Sequence, residues 1–142
     1  MYYEALELAM SVHANQTRWD GSMYIEHPKR VSYRVTGDKL KTIAVLHDTV
    51  EDGANPQTIE KHIRSQFGNT VGDAVMALTR MKDESYSDFI VRAGQNTLAR
   101  TVKIADIEDN LHDIPTNVEA RRKAGNLQER YLKALKYLRE LK

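Results

Sequence analysis

The run KLKTIAVLHDTVED, residues 39–52, carries an apolar helix face directly into four groups able to bind a metal or move a proton. On a helix advancing about 100° per residue, Leu40, Ile43, Ala44 and His47 share one face, so the imidazole points where the core side chains point. With His47 at zero, Asp48 falls about 100° away, Glu51 about 40° and Asp52 about 140°, which confines the four side chains to a wedge at one helix end. A single histidine on an apolar face is most often a core residue with its hydrogen bonds satisfied. The adjacent Asp48 changes that reading, because an inward carboxylate is costly unless a cation or a full set of hydrogen bonds compensates it. A bound metal is the simplest compensation.

The chain around this run has 142 residues, a formal net charge of +1, 41% hydrophobic and 29% charged residues. That balance suits one domain over residues 1–142 with one core. With no cysteine, disulfides, thiolate zinc sites and cysteine nucleophiles are excluded, so any metal site uses His, Asp and Glu. The opening MYYEALELAM does not read as a secretory signal and no apolar run approaches a membrane span; the expectation is a cytoplasmic protein with no membrane partner. A net charge near zero argues against a general nucleic-acid binder. The oligomeric state stays open.

Outward from the central run, every segment reads as helix. Tyr3, Leu6, Ala9, Met10 and His13 recur at helical spacing, ending near Asn15 with His13 on the inner face. Pro28 opens a helix to about Thr36 and biases His27 toward an extended backbone at its entrance. The central helix is expected from Asp38 to about Glu51, stopped by Asp52-Gly53-Ala54-Asn55-Pro56. Pro56 starts the next helix, with Ile59, Ile63 and Phe67 inward and Gly68 as its stop; Asn69 then caps Thr70 to about Thr79. After a loop from Arg80 to Ser85 come a short helix, Tyr86 to about Ala93, a break at Gly94-Gln95-Asn96, and a helix with Leu98, Val102 and Ala105 inward. Leu127, Tyr131, Leu135, Leu138 and Leu141 make a final amphipathic helix whose Lys133, Lys136, Arg139 and Lys142 read as solvated. Only residues 16–26 allow a short hairpin. The fold class is therefore all-α, a single helical bundle.

A second acidic cluster lies at Lys103, Asp106 and Asn110, spaced three and four apart on one helix stripe. Asp106 has the more enclosed surroundings, whereas Glu108 and Asp109 read as an exposed acidic helix end.

Taken together, His27-Pro28, His47-Asp48-Thr49-Val50-Glu51-Asp52 and Val102-Lys103-Ile104-Ala105-Asp106 stand in the order of the motifs of HD-domain phosphohydrolases. More narrowly, the chain resembles the hydrolase domain of RelA/SpoT homologues: AMSVHANQTRWDGSMYIEHPKRV, residues 9–31, is similar to that family's first motif, with Arg18, Gly21, Tyr24, Ile25, His27 and Pro28 in place. The resemblance spans roughly residues 5–112. With no synthetase domain expected, it resembles the small hydrolase-only members of the metazoan SpoT-homologue type.

The resemblance implies a single HD-domain bundle with metal ligands His27, His47, Asp48 and Asp106. They would hold one divalent transition metal, manganese in most of the family, although two imidazoles and two carboxylates also suit iron or zinc. Glu51 and Asp52 are implied as the catalytic carboxylates that orient or deprotonate water. Arg18 is implied near the base, Asn110 near the ribose, and Lys103 in the substrate site with its role open. Trp19 stands where many members have a second basic residue and Met23 where a proline is usual; an aromatic ring there can stack on a purine. The implied reaction removes the 3′-pyrophosphate of guanosine tetra- or pentaphosphate. The alternatives are an HD phosphohydrolase acting on another nucleotide, a nucleoside monophosphate or NADPH, and a non-catalytic nucleotide-binding module.

Overall fold

The structure is a computed structural model describing residues 1–113 and 118–142, with side chains given for 1–113 and 126–142. Regular structure among these residues is helical: α1 (Tyr2–Val12), α2 (Glu26–Tyr33), α3 (Asp38–Leu46), α4 (Thr49–Asp52), α5 (Pro56–Phe67), α6 (Asn69–Ala77), α7 (Tyr86–Gly94), α8 (Thr97–His112) and α9 (Val118–Glu140). The all-α expectation is met. The hairpin is reduced to one antiparallel pairing of Thr17 with Met23, closed by Arg18 N–H to Ser22 O and Tyr24 N–H to Gln16 O, both 2.9 Å.

Local chemistry sets the boundaries. Pro56 occupies the first turn of α5, where a missing N–H leaves no bond unmade. Gly68, at φ +92°, ends α5 and begins α6, a conformation only glycine adopts without strain. Asn69 is consequently the first residue of α6 and not its cap; its side-chain oxygen lies 3.4 Å from Arg64 Nη1 instead. Ser85 Oγ accepts from Asp88 N–H and Asn96 Oδ1 from Ala99 N–H, capping α7 and α8. Gly94 is inside α7, so the break before α8 is only Gln95-Asn96.

Helix α3 is the centre of the fold. Thr42, Ile43, Ala44, Val45 and Leu46 are consecutively buried, as expected of a helix walled in on all sides, here by α1, α2, α6 and α8. Around it Ala5, Ala9, Val31, Val71, Val75, Ala99 and Val102 are among the residues of the main cluster. A second cluster of Ile90, Ile107, Ala134, Leu135 and Leu138 seats α9 on α7 and α8. Lys133, Lys136 and Arg139 of α9 and Lys142 just past it are exposed as expected, but so is Leu127, 40% exposed and outside this cluster.

Arg92 of α7 ties these halves together. Its guanidinium donates to both Glu84 oxygens at 2.8 and 2.9 Å and to the Met76 and Thr79 carbonyls at 3.0 and 2.6 Å. The pair holds the Glu84 carboxyl down at about 2. Arg92→Met removes the charge-assisted bonds to Glu84 and leaves the Thr79 carbonyl without its guanidinium partner, so a loss of about 2 kcal/mol is expected in urea unfolding. A change below about 0.5 kcal/mol, the size typical of an unremarkable surface substitution, would show that the clamp adds nothing.

Candidate metal centre

The decisive local event is that the central helix breaks at the His-Asp doublet. It was expected to run unbroken to about Glu51; instead α3 stops at Leu46 and α4 restarts at Thr49. Side chains take over the last carbonyls of α3: His47 Nδ1 donates to Ala44 O at 2.6 Å and Thr49 Oγ1 to Leu46 O at 2.8 Å, supplying partners that a helix end otherwise lacks. On a continuous helix neighbouring side chains diverge by about 100°, whereas the break turns Asp48 Oδ2 to within 3.0 Å of His47 Nε2. Close packing fixes the end of α4, because a Cβ on Gly53 would run into Ile59 and the Thr49 carbonyl.

His27 comes from α2, which begins at Glu26, two residues before Pro28. The expected extended backbone at His27 is thus replaced by a helical first turn. Proline is tolerated there because first-turn N–H groups have no intrahelical partner, and two carboxylates of α8 hold the ring: Nε2 lies 2.8 Å from Asp106 Oδ1 and Nδ1 2.7 Å from Asp109 Oδ2.

One donor atom from each of His27, His47 and Asp48 falls within 4.8 Å of the others, and Asp106 Oδ1 lies 3.3 Å from His47 Nε2 as well. Both imidazoles engage an acceptor through Nδ1, so both present Nε2 to the cluster. His47 Nε2 is buried without an aligned hydrogen bond despite the carboxylates beside it. An inward lone pair ringed by carboxylate oxygens fits a divalent cation, so the donor set passes on its own chemistry.

The electrostatics have the same origin. Burial opposes charge throughout, yet the Lys103 ammonium and the imidazoles hold Asp106 well below the usual carboxylate range, while Asp48 and Asp106 raise His47 well above its ordinary value. Lys103 Nζ donates to Asp106 Oδ2 at 2.7 Å and lies 4.9 Å from the centre of the Phe89 ring. Tyr24 donates its hydroxyl to Asp48. At the edge, burial pushes the Glu51 carboxyl up, and burial with the Asp48 and Glu51 charges pushes Asp52 to about 7.

These groups open into a cleft lined by Thr17, Arg18, Trp19, Tyr24, His27, Asp48, Glu51, Lys103, Asp106, Asn110 and Tyr131. Of the residues expected at the site, two are not in this lining: His47, buried beneath it, and Asp52, whose carbonyl accepts from Gln16 Nε2 at 3.0 Å. Glu51 is steadied by Arg80 N–H, 2.8 Å from its Oε1. Arg18 Nη2 lies 3.4 Å from Asn110 Oδ1 and 3.2 Å from Asp113 Oδ2. Trp19 stands 59% exposed at the rim. A separate apolar groove lined by Tyr86, Ile90, Arg130 and Tyr137 has no carboxylate or imidazole in its wall.

Residues 5–109 match the family described as the HD domain. The chain belongs to the HD domain family. This HD domain is 30% identical over 131 residues to the guanosine-3′,5′-bis(diphosphate) 3′-pyrophosphohydrolase of Aquifex aeolicus, covering 84% of this chain and 18% of the relative. It is 29% identical over 140 residues to a probable GTP pyrophosphokinase of Mycobacterium leprae, covering 87% and 17%. The chain therefore spans less than a fifth of the length of these curated relatives. A solved structure of a metazoan orthologue of SpoT, described as hydrolysing ppGpp with a role in starvation responses, superposes with a TM-score of 0.73 at 25% identity, over 94% of this chain and 84% of that one.

Asp109 and Tyr131 are among the site residues that escaped the sequence reading, with Thr17 and Tyr24 of the cleft wall. Asp109, read as part of an exposed acidic end, is 1% exposed. Its spacing of three from Asp106 was a usable signal, since α8 continues a further turn to His112 and keeps Asp109 on the inner stripe. Tyr131 gave no such signal, because only the docking of α9 brings it to the cleft.

Proposed function

We propose that residues 1–142 act as one metal-dependent phosphohydrolase domain that removes the 3′-pyrophosphate of guanosine 3′,5′-bis(diphosphate) or its pentaphosphate analogue. The observation that carries this reading is the convergence of His27, His47, Asp48 and Asp106 at the base of a cleft whose wall also holds Glu51, Arg18 and Trp19. The names of the relatives supply the substrate.

In this reading His27, His47, Asp48 and Asp106 hold one divalent ion, manganese by family resemblance. When bound, such an ion acidifies water and neutralises charge on a phosphoryl group. Glu51, anchored through one oxygen by Arg80 N–H, accepts the proton of the attacking water, and Asp52 stands as the alternative acceptor. Water adds to the phosphorus of the 3′-linked phosphate, the bond to the 3′-oxygen breaks, that oxygen takes up a proton from Glu51 or solvent to become the 3′-hydroxyl, and pyrophosphate is released. Arg18, Asn110 and Trp19 receive the nucleoside. Lys103, buried against Asp106, serves as a fixed counter-charge beside the phosphates. No helix among the described residues is long and apolar enough to cross a membrane; a cytoplasmic site of action on a small nucleotide is part of the same proposal.

Incubating the manganese-loaded protein with guanosine tetraphosphate, GTP, nucleoside monophosphates and NADPH, with products identified by mass, tests this directly. GDP and pyrophosphate from the tetraphosphate are expected; faster turnover of another nucleotide would replace the substrate assignment, and turnover of none would leave a binding module. Trp19→Ala is expected to weaken substrate binding by about 1 to 3 kcal/mol through lost base stacking. The effect should appear in KM with kcat little changed, because the base is remote from the attacked phosphorus and binds ground and transition states alike. Arg18→Ala should act in the same direction. Parent-like KM for both variants would remove the nucleoside from this rim.

A further inference from the structure

The two imidazoles of the centre are held in different ways. His47 Nδ1 donates to a neutral acceptor, the Ala44 carbonyl, at 2.6 Å, whereas His27 Nδ1 faces a carboxylate, Asp109 Oδ2, at 2.7 Å. Burying a carboxylate this deeply is unfavourable without strong partners, and α2 supplies them. Arg30 Nε lies 3.1 and 3.2 Å from the two Asp109 oxygens, and Arg34 Nε 3.5 Å from Oδ1. His27 and Arg30 lie three apart on α2 and Arg34 four further on, at its C-terminal cap, so one stripe presents the ring and both guanidinium groups to the same residue of α8.

We propose that Asp109 is a positioning residue for the metal: it holds the proton on His27 Nδ1, fixes the ring plane, and makes Nε2 a stronger donor than a carbonyl partner would. Arg30 and Arg34 hold the Asp109 carboxylate in register. Two features favour this over a plain ion pair joining α2 to α8. The contact is made on the ring nitrogen opposite the one that enters the donor cluster. Replacing the outer partner of a metal-binding imidazole is also known to weaken binding by about 10- to 100-fold. The proposal rests on the reading of His27 as a ligand through Nε2.

The test combines Asp109→Asn, which keeps an acceptor oxygen and the side-chain shape but removes the charge, with measurements on the parent. Chelator competition with Mn²⁺ is expected to show affinity about 10- to 100-fold weaker in Asp109→Asn, with His47→Ala as the reference for a lost ligand. A purely structural role would instead lower the melting temperature of the metal-free variant and leave Mn²⁺ affinity within a few-fold of the parent, overturning the proposal. Should Asp109→Asn not fold, ¹⁵N NMR of the Zn²⁺-loaded parent decides. The expected result is metal on His27 Nε2 and a proton on Nδ1 resonating downfield of its counterpart on His47. Metal on His27 Nδ1, or Nδ1 protons alike in the two rings, overturns the proposal while the metal site stands. A parent that takes up no metal, or a His47→Ala variant that binds as the parent does, defeats the metal-site reading and this proposal with it.

Discussion

Elemental analysis of the purified protein is expected to find close to one transition-metal ion per chain, and His47→Ala combined with Asp48→Ala to abolish it. The expected size follows from how the donors are held. Altering only the outer partner of a ligand weakens binding by about 10- to 100-fold, so removing two direct donors from one compact cluster should remove tight binding altogether. His47 is the most consequential single position, because its Nε2 is buried, unaligned with any hydrogen-bond partner, and 3.0 and 3.3 Å from two carboxylates. Metal uptake also couples to stability, since an ion that binds only the folded chain at 100 times its Kd stabilises it by about 2.7 kcal/mol. The melting temperature of the parent should therefore rise on adding Mn²⁺ and that of the double variant should not. Unchanged metal content in the double variant would remove His47 and Asp48 from the ligand set.

Glu51→Gln is expected to keep the metal and lose activity by about 10²-fold or more, the scale of general-base removal. The amide can still accept from Arg80 N–H, which now lies 2.8 Å from Oε1, so the side chain should keep its place while losing the capacity to take a proton. Mn²⁺ affinity measured alongside kcat separates a lost base from a disturbed site. Asp52→Asn is expected to cost less, because Asp52 is outside the lining of the cleft. Parent-like turnover by Glu51→Gln would pass the base role to Asp52 or show that no side-chain base is needed.

The sequence by itself determined the all-α class, the helix order, and the inward direction of His13, His47 and Asp106. Those follow from apolar periodicity and from Pro and Gly signals, which are local. It also picked out Lys103, Asp106 and Asn110 as one stripe, because three- and four-residue spacings fix which side chains meet on a helix. The resemblance joined His27 to this set across 79 residues of sequence from Asp106, which no periodicity could do. Tertiary structure decided the rest. The break between α3 and α4 depends on whether the His47 ring and the Thr49 hydroxyl or another turn of helix satisfy the last carbonyls of α3, and packing against α5 at Gly53 accompanies that choice. The helical setting of His27 arises because Asp106 and Asp109 grip the ring from α8, outweighing the bias imposed by Pro28. Asp109 can be buried because His27 and Arg30 of α2, with Arg34 just past its end, face it across the helix boundary. A charge reads as solvated in sequence until the fold supplies its partner, and Tyr131 becomes part of a site only where α9 comes to rest.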